Sequence, residues 1–559
     1  MLHELCSSLL AQHLPELSEE EIVHLLEKPK HKDHGDVSFP CFTLAKTRRT
    51  SPHAIAKELS EQLQSPYFTS IEAVGAYVNF FFNPEEVAPK IVNKILSAGS
   101  EFGSNQLGHG CRIVIDLSSP NIAKPFSMGH LRSTVIGNSL SLIGKKNGYD
   151  VVKINYVGDW GTQFGKLIVA FLKWGDLEKV KQNPIPELFQ LYVKFHHEAE
   201  QNPTLDEEGR KAFQELEAGN EEYLKLWTYF REVSLEAFQK VYQLLGIDFE
   251  SWKGEAAYNH KMDHTTDLLK EKDLLVESDG ATIVQLEEDN LPPCLIRKRD
   301  GATLYATRDL TAAYDRYTEF KFTQAFYVVG HEQSIHFKQV FAVLKKLGAP
   351  FAENMEHIPF GLYLKDGQKM STRKGRVILL EEVLLESIEK AKKNIEERNP
   401  SFPGLEEVAK QVGVGAILFN DLKQDRMNNI EFNMDDMLQF EGETGPYLQY
   451  THARAQSILR KASVEDNIFT GDSHRKSWEL IKKLHEFPSS VETAFTKRSP
   501  AIVAHYLLKL AKLFNQYYSQ VKILEDTREK ESRIALVKAV TIVLAEGLRL
   551  LGMKAPDQM

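Results

Sequence analysis

Residues 112–130 read RIVIDLSSPNIAKPFSMGH, and this stretch decides the fold. Arg112–Leu117 is a short apolar run and predicts a buried strand. A Ser-Ser-Pro-Asn turn follows, and helical periodicity then runs from Met128 to Asn147. Val151–Val157 is the next apolar run. A strand, a turn, a helix and a second strand at this spacing predict a β-α-β unit of a parallel sheet.

The sheet is expected to resume after a charged, helical stretch near residues 176–250, which lacks strand signals and indicates an insertion. The later elements are predicted to be a hairpin around Asp300-Gly301 within residues 294–307, a strand Ala325–Gly330, a helix Phe337–Leu347 and a strand Ile358–Leu364. This alternation is typical of an open α/β sheet with helices packed on its faces.

The segments before and after the sheet region have different secondary-structure patterns from it. The first contains helical patterns at Leu2–His13 and Pro52–Gln64 and a strand within Glu72–Phe82, whereas the region from Leu405 onward shows only helical periodicity. We therefore predict a multidomain α/β protein: an N-terminal α+β domain (residues 1–105), a Rossmann-type parallel-sheet domain (106–400) and a C-terminal all-α domain (401–559).

Composition excludes several classes of protein. The 559 residues include 68 Lys+Arg and 78 Asp+Glu, a net charge of −10, so any nucleic acid must be bound by local patches. One basic patch, Lys28–Lys32 with Arg48 and Arg49, is either a solvated face or such a contact. The four cysteines form no CxxC pair, which argues against a disulfide framework or a structural zinc.

The chain shows no targeting or membrane signal. No apolar run approaches the roughly 18 residues that a transmembrane helix needs. The N-terminus lacks a basic leader and reads as an amphipathic helix rather than a signal peptide. We expect a soluble, cytoplasmic protein with no membrane partner.

The turn between the first sheet strand and its helix has the chemistry of a phosphate site. A helix N-terminus offers unpaired N–H groups and the positive end of the helix dipole. Gly129 allows close approach to the backbone, and Lys124 and His130 can donate hydrogen bonds to phosphate oxygens. The alternative is an ordinary strand–helix turn with an incidental histidine.

A second cationic segment lies about 240 residues later. Residues 365–376 read KDGQKMSTRKGR and contain five basic groups, as expected of a loop that neutralises charge on a transferring phosphoryl group. A KMS tripeptide alone is usually a solvated loop. Its occurrence after the GH-bearing turn strengthens the phosphate interpretation.

Together the two segments resemble the HIGH and KMSKS signatures of class I aminoacyl-tRNA synthetases. The surrounding residues are similar to those of arginyl-tRNA synthetases, over a resemblance that extends from the N-terminal region to Met559. The matching stretches are DLSSPNIAKPF (116–126), GHLRST (129–134), VGDWGTQFG (157–165), KMSTRKG (369–375) and FEGETGPYLQYTHAR (440–454).

The resemblance implies an ATP-dependent ligase that joins L-arginine to tRNA(Arg) through an arginyl-adenylate and yields arginyl-tRNA, AMP and pyrophosphate. ATP would be a substrate, with Mg²⁺ as its counter-ion, and the protein would be a monomer. The parallel-sheet domain would be catalytic, the C-terminal helical domain would bind the anticodon, and the N-terminal domain would contact the body of the tRNA.

The resemblance also assigns candidate site residues. The catalytic candidates are Lys124, Ser127, Gly129, His130, Lys369 and Ser371. Further ATP contacts are implied for Pro120, Met128, Glu332, Met370, Arg373 and Lys374. The arginine contacts would be Asp116, Asn121, Tyr305, Asp309 and Gln333, and the tRNA contacts Asn79, Phe82, Tyr447, Tyr450, Arg454 and Met559.

Simpler structural readings compete with several of these roles. Asp309 could be a helix N-cap beside Arg308, and Tyr305 an ordinary strand aromatic. Phe82 could serve strand packing alone. Tyr447, Tyr450 and Arg454, spaced i, i+3 and i+7, could stack unpaired bases or could be an aromatic core stripe. From the sequence alone, these alternatives stay open.

Two departures from the family pattern stand out. Ser127 occupies the place of the first histidine of HIGH. Thr372 occupies that of the second lysine of KMSKS, although Arg373 and Lys374 flank it.

Three other functions compete with this interpretation: a different class I synthetase such as a cysteinyl enzyme, a small-molecule nucleotidylyltransferase, and a non-catalytic tRNA-binding paralogue. Retention of Lys124, His130 and Lys369 favours an active enzyme.

Overall fold

The computed structural model describes residues 1–298, 305–365, 367–369, 378–462 and 468–559. The chain forms two compact units. Unit 1 comprises Met1–Phe102, Ile458–His485 and Lys512–Ile542; unit 2 comprises Gly103–Ser457, Glu486–Ala511 and Val543–Met559. The C-terminal region therefore contributes helical segments to both units.

Helices dominate the described residues. In chain order they are α1 (Leu2–Ala11), α2 (Glu19–Leu25), α3 (Phe42–Arg48), α4 (Pro52–Gln62), α5 (Pro84–Ala98), α6 (Leu131–Lys146), α7 (Thr162–Trp174), α8 (Leu177–Gln182), α9 (Pro184–Gln201), α10 (Thr204–Glu217), α11 (Glu221–Leu245), α12 (Met262–Glu271), α13 (Tyr305–Phe320), α14 (Ser334–Leu347), α15 (Leu380–Arg398), α16 (Leu405–Leu422), α17 (Met434–Met437), α18 (Gly445–Ala462), α19 (Arg475–His485), α20 (Phe487–Thr496), α21 (Ala501–Gln520) and α22 (Lys530–Leu550). Across the ranges given above, no helix combines the length and the apolar character that a membrane span requires.

Among the described residues, the strands form four small sheets. They are β1 (Val37–Pro40), β2 (Phe68–Val74), β3 (Tyr77–Phe82), β4 (Arg112–Asp116), β5 (Asp150–Ile154), β6 (Leu275–Ser278), β7 (Ala281–Val284), β8 (Cys294–Arg297), β9 (Gln324–Gly330), β10 (Met355–Phe360), β11 (Tyr363–Lys365), β12 (Gln368–Lys369) and β13 (Ile430–Glu431). The sheet orders are β1-β3-β2, β10-β9-β4-β5, β12-β11-β13 and β6-β7-β8.

The parallel sheet of unit 2 confirms the predicted fold class. Strands β4 and β5 pair in parallel, with Arg112 opposite Asp150, and α6 connects them. Strand β9 pairs in parallel with β4 on one side and with β10 on the other. Because all four strands run in the same direction, the segments that follow their carboxyl ends gather at one edge, where open α/β sheets bind ligands.

In unit 1, the single strand predicted over Glu72–Phe82 is wrong. The segment is a hairpin in which β2 and β3 pair antiparallel, with Val74 opposite Tyr77. Gly75 lies between them at φ 62°, in the left-handed region that a tight turn needs and that glycine adopts without a steric cost. Because the apolar alternation continues on both sides of this turn, the pattern does not show that one strand ends there and another begins.

In unit 2, the predicted strand Ile358–Leu364 is also two strands, β10 and β11, in different sheets. They separate at Gly361, where a Cβ atom would lie 2.6 Å from the carbonyl oxygen of Asn428. Strand β11 then pairs with β12 and with β13. Since β13 falls in the C-terminal region, the prediction of helix alone from Leu405 onward is wrong by this two-residue strand.

Helix α6 packs closely on strand β4 and its following residue. A Cβ atom at Gly137 would lie 2.5 Å from Leu117 Cβ, and Leu117 is fully buried. Ser141, one turn later and 1% exposed, has a hydroxyl with no hydrogen-bond partner in the part of the chain that the structure describes. Gly137 therefore does not tolerate a larger side chain, whereas the Ser141 hydroxyl makes no hydrogen bond within the described residues that a substitution would remove.

We predict that Gly137→Ala lowers the free energy of unfolding by about 1–3 kcal/mol, because the methyl group overpacks the helix against Leu117. Ser141→Ala is the matched control and should change that free energy by less than about 0.5 kcal/mol or raise it. Urea unfolding followed by circular dichroism measures both. Equal midpoints for Gly137→Ala and the parent protein would contradict the packing argument.

Candidate active site

The turn between β4 and α6 is held in a strained shape. Ser118, Ser119 and Ala123 have φ angles of 74°, 52° and 56°, which cost non-glycine residues on the order of 1–3 kcal/mol each. Their backbone N–H groups donate, respectively, to Ser133 Oγ (2.8 Å), Asn155 Oδ1 (3.2 Å) and Ser234 Oγ (2.9 Å). Three separate elements thus fix the path of the turn, as is common at functional sites.

His130 ends this turn as a neutral hydrogen-bond donor. Its Nδ1 accepts the backbone N–H of Ser127 at 3.2 Å and lies 3.3 Å from Ser127 Oγ. Because Nδ1 accepts, the ring proton resides on Nε2. Burial, together with the charge of Lys124, lowers the pKa of His130 to about 4, and the ring stacks on Phe126 with centroids 5.2 Å apart.

The remaining residues of the turn are held by the segment after β5. Asn121 bridges in parallel to Gly158, and a Cβ atom at Gly158 would lie 2.2 Å from Asn121 Oδ1, so a larger residue there would displace the Asn121 side chain. Pro120 is buried beside it, and its carbonyl accepts the N–H of Gly158 at 3.0 Å. Lys124, half-buried, places Nζ 3.3 Å from Gln163 Oε1.

The residues that follow the cationic segment 365–376 pair with this turn. The N–H of Met128 donates to Ile378 O at 3.1 Å, and the N–H of Leu380 donates to Phe126 O at 2.9 Å. On the other side, the backbone of Lys369 pairs with Leu364 in the β11–β12 hairpin. The candidates Met370, Ser371, Arg373 and Lys374, the side chain of Lys369, and the predicted Asp300-Gly301 turn lie outside the described residues.

The candidate arginine residues Tyr305 and Asp309 lie together in α13, one turn apart. The strand reading of Tyr305 is wrong, and so is the N-cap reading of Asp309, because four helical residues precede it. The Asp309 side chain is 19% exposed, and its Oδ2 lies 2.6 Å from His336 Nε2 on α14. Tyr305 is 62% exposed, so its ring is available to a ligand.

Asp116 is engaged within the protein. Its Oδ2 lies 2.7 Å from Arg316 Nη2, and its Oδ1 accepts the hydroxyl of Ser119 at 3.0 Å. Burial raises the pKa of Asp116, and the charge of Arg316 opposes that rise. The structure thus gives Asp116 an internal ion pair. Its contact with arginine stays a prediction.

Glu332 and Gln333 lie in the 3-10 turn His331–Gln333 that follows β9. Both side chains are exposed, and Glu332 Oε2 lies 3.6 Å from His331 Nδ1. The turn leaves the same edge of the sheet as the Pro120–His130 turn, because β9 neighbours β4 in parallel. Their roles toward ATP and arginine stay predictions.

Sequence reasoning missed Glu255. This residue begins the 3-10 segment Glu255–Lys261. Burial raises its pKa to about 8; the charge of Arg308 opposes the rise, and those of Asp309 and Asp159 add to it. A carboxyl group with such a raised pKa beside a second carboxylate is a candidate site group. No motif marks Glu255, since its neighbours in space come from distant parts of the chain.

The candidate RNA residues of α18 are partly buried. Tyr447, Tyr450 and Arg454 are each partly accessible, and Arg454 Cζ lies 4.9 Å from the centre of the Tyr450 ring. The buried face of the helix carries other residues, among them Leu448 and Ala455. Since the three side chains are only partly buried, both the core interpretation of the stripe and its contact with RNA stay predictions.

The C-terminal segment that ends at Met559 runs beside α18. Gln449 Nε2 donates to Lys554 O at 2.8 Å, and His452 Nδ1 lies 3.0 Å from Pro556 O. The structure therefore brings the end of the chain to the helix that carries Tyr450 and Arg454. Sequence alone shows no such proximity.

In unit 1, Asn79 and Phe82 are each 2% exposed. Asn79 Oδ1 accepts the hydroxyl of Ser38 at 2.5 Å, and Phe82 packs on Phe68 with ring centroids 5.1 Å apart. Sheet packing accounts for both side chains. A contact of either with tRNA stays a prediction.

Comparisons with known proteins match this arrangement. The family model described as "tRNA synthetases class I (R), catalytic domain" matches residues 91–434, the "Arginyl tRNA synthetase N terminal domain" matches 4–82, and the "DALR anticodon binding domain" matches 448–559. The chain is 58% identical to the "Arginine--tRNA ligase" of Exiguobacterium sibiricum over 543 residues and 58% identical to "Arginine--tRNA ligase 2" of Bacillus anthracis over 547, covering 97% of each chain in both cases.

Among solved structures, the chain resembles the arginyl-tRNA synthetase of Thermus thermophilus with a TM-score of 0.82 at 26% identity, over 100% of both chains. The match covers the sheet edge, the β4–α6 turn and the helical C-terminal region alike. The chain, in which a strained strand–helix turn holds a neutral histidine and pairs with the residues that follow a cationic segment, therefore belongs to the arginyl-tRNA synthetase family of class I aminoacyl-tRNA synthetases.

Proposed function

We propose that this protein ligates L-arginine to tRNA(Arg) with ATP, first forming arginyl-adenylate and pyrophosphate and then arginyl-tRNA and AMP. The observation that carries the proposal is the β4–α6 turn, where His130 is held as a neutral donor and Ile378, two residues after the cationic segment 365–376, pairs with Met128. Family membership supplies the reaction class. The residue roles below are our assignments.

In the activation step, the arginine carboxylate attacks the α-phosphorus of ATP and pyrophosphate leaves. No proton has to move at the reacting atoms, so the site needs donors in fixed positions rather than an acid or base. We assign His130 Nε2–H, Lys124 and the N-terminus of α6 to the phosphates, with Pro120, Ser127, Met128 and Gly129 shaping the turn. Glu332 is assigned to the ATP ribose, and Lys369, Met370, Ser371, Arg373 and Lys374 to the leaving pyrophosphate.

Mg²⁺ is proposed to enter with the phosphates of ATP. Over the ranges that the structure covers, no cluster of three or more His, Cys, Asp or Glu side chains is arranged to hold a metal ion. No step is assigned to the metal.

Arginine selection is assigned to the acidic group around α13. A guanidinium offers five donors in a planar fork, which suits a pair of carboxylates. Asp309 and Glu255 supply them, while Asn121, Tyr305, Gln333 and Asp116 are proposed for the remaining contacts. An arriving guanidinium favours the ionised form of Glu255, whose pKa is about 8 without it.

The tRNA is proposed to contact both units. We assign anticodon binding to Tyr447, Tyr450, Arg454 and Met559, and contact with the tRNA body to the region of Asn79 and Phe82. The proposed domains are residues 1–105, 106–400 and 401–559, the middle one with a helical insertion near 176–250. The protein is proposed to act as a cytoplasmic monomer.

The reaction itself is tested by incubating the purified protein with ATP, tRNA(Arg) and each amino acid in turn. We expect arginine alone to be esterified to the tRNA, and we expect arginine-dependent ATP–pyrophosphate exchange when tRNA is present. Binding of tRNA(Arg) without charging would indicate a non-catalytic paralogue. Charging with another amino acid would overturn the arginine assignment.

Asp309→Asn tests the guanidinium assignment. We expect the KM for arginine to rise about ten- to hundredfold with little change in the KM for ATP, because a charge-assisted hydrogen bond of roughly 1.5–3 kcal/mol is weakened. Asp315→Asn, on the same helix, is the control and should leave both constants within about twofold. An unchanged arginine KM in a folded Asp309→Asn protein would remove this role.

Arg454→Ala tests the anticodon assignment. Stacking contributes on the order of 1–3 kcal/mol per base, so kcat/KM for tRNA should fall about ten- to hundredfold while the melting temperature stays the same. Arg460→Ala removes an exposed arginine from the same helix and should have a smaller effect. The loss from Arg454→Ala should also shrink for tRNA with an altered anticodon. Fully independent losses would place anticodon recognition elsewhere.

A further inference from the structure

The inference concerns His336, which no motif singles out. His336 lies in the first turn of α14, and its Nε2 is 2.6 Å from Oδ2 of Asp309 on α13. The two side chains are 26% and 19% exposed, so solvent only partly screens the contact. Throughout the described ranges, this is the sole hydrogen bond made by the Asp309 carboxylate.

The contact leaves one carboxylate oxygen uncommitted. A carboxylate has about four lone-pair sites, and two parallel N–H···O bonds to a guanidinium require its plane to be fixed. Without an anchor, the carboxylate of an aspartate rotates broadly about χ2. The imidazole N–H occupies Oδ2 and so restricts that rotation, while Oδ1 stays available to a ligand.

His336 is itself held in place. The neighbouring Phe337 is 6% exposed and stacks on His357, with ring centroids 4.8 Å apart. The hydroxyl of Ser334, the first residue of α14, donates to His331 O at 2.6 Å. The residues on both sides of His336 are therefore anchored.

We propose that His336 is a positioning residue for arginine recognition: it donates Nε2–H to Asp309 and orients that carboxylate toward the guanidinium. The inference rests on the proposed role of Asp309 as a guanidinium ligand and extends it. His336 does not touch arginine. It acts only through the orientation of the Asp309 carboxylate.

Two variants separate the hydrogen bond from the packing of the ring. His336→Phe keeps a ring of similar volume but has no donor, whereas His336→Gln keeps an N–H donor at similar reach. We expect His336→Phe to raise the KM for arginine about tenfold, with kcat and the KM for ATP changed by less than about twofold. His336→Gln should stay within about threefold of the parent protein.

Equal losses in the two variants, or a loss in kcat with an unchanged arginine KM, would overturn the inference, because a packing role predicts either result. Thermal melting checks that each variant folds. If His336→Phe melts early, His336→Leu takes its place in the same comparison. Arginine charging of tRNA(Arg) at saturating ATP and tRNA is the assay throughout.

The double variant His336→Phe/Asp309→Asn distinguishes the inference from the function on which it rests. If His336 acts through Asp309, the double variant should match Asp309→Asn within about twofold, whereas multiplied losses would place the effect of His336 elsewhere. An unchanged arginine KM in Asp309→Asn would remove the guanidinium assignment itself. A raised KM in Asp309→Asn with a normal KM in His336→Phe would remove only the positioning role.

Discussion

One buried hydroxyl joins the three elements on which the candidate site depends. Ser133 Oγ accepts the backbone N–H of Ser118 at 2.8 Å and donates to Val328 O at 2.6 Å. It thereby ties the strained turn after β4, the first turn of α6 and the middle of β9 at a single point. An unsatisfied buried partner costs about 1–3 kcal/mol, so this hydroxyl constrains where His130 can lie relative to the sheet.

Helix α6 carries that constraint to its other end. Lys146 Nζ lies 2.9 Å from Glu546 Oε1 on α22, with both side chains about 95% buried, and Ser139 Oγ donates to Leu550 O at 2.8 Å. Burial would raise the pKa of Glu546, but Arg549 and Lys146 hold it below its usual value. Since breaking a buried pair leaves a charge uncompensated, the helix that begins at the β4–α6 turn is fixed to the C-terminal segment as well.

The sequence was sufficient to predict the parallel sheet and the strand–helix turn, because hydrophobic periodicity and turn residues are local signals. Prediction from the sequence failed where one apolar pattern spans two strands, as at Gly75 and Gly361. The alternation is the same on both sides of each glycine, so it does not show where the first strand ends. Prediction from the sequence also missed Glu255 and His336. Each becomes a candidate only through a neighbour more than 25 residues away, and a single sequence contains no information about such contacts.

The serine at position 127 is the departure that the structure explains best. A second histidine at this place would bring another ring to a turn where the backbone N–H of residue 127 already fixes the tautomer of His130. Ser127 Oγ lies 3.3 Å from the same Nδ1, so the side chain adds to the environment of His130 without competing for Nε2. With a pKa near 4, His130 is uncharged at neutral pH, so in its proposed role toward a phosphate it donates a hydrogen bond without adding positive charge. Under the same proposal, the positive charge comes from Lys124 and the cationic segment 365–376. The residues that follow this segment pair with the turn through backbone hydrogen bonds at Phe126 and Met128, which do not depend on any side chain.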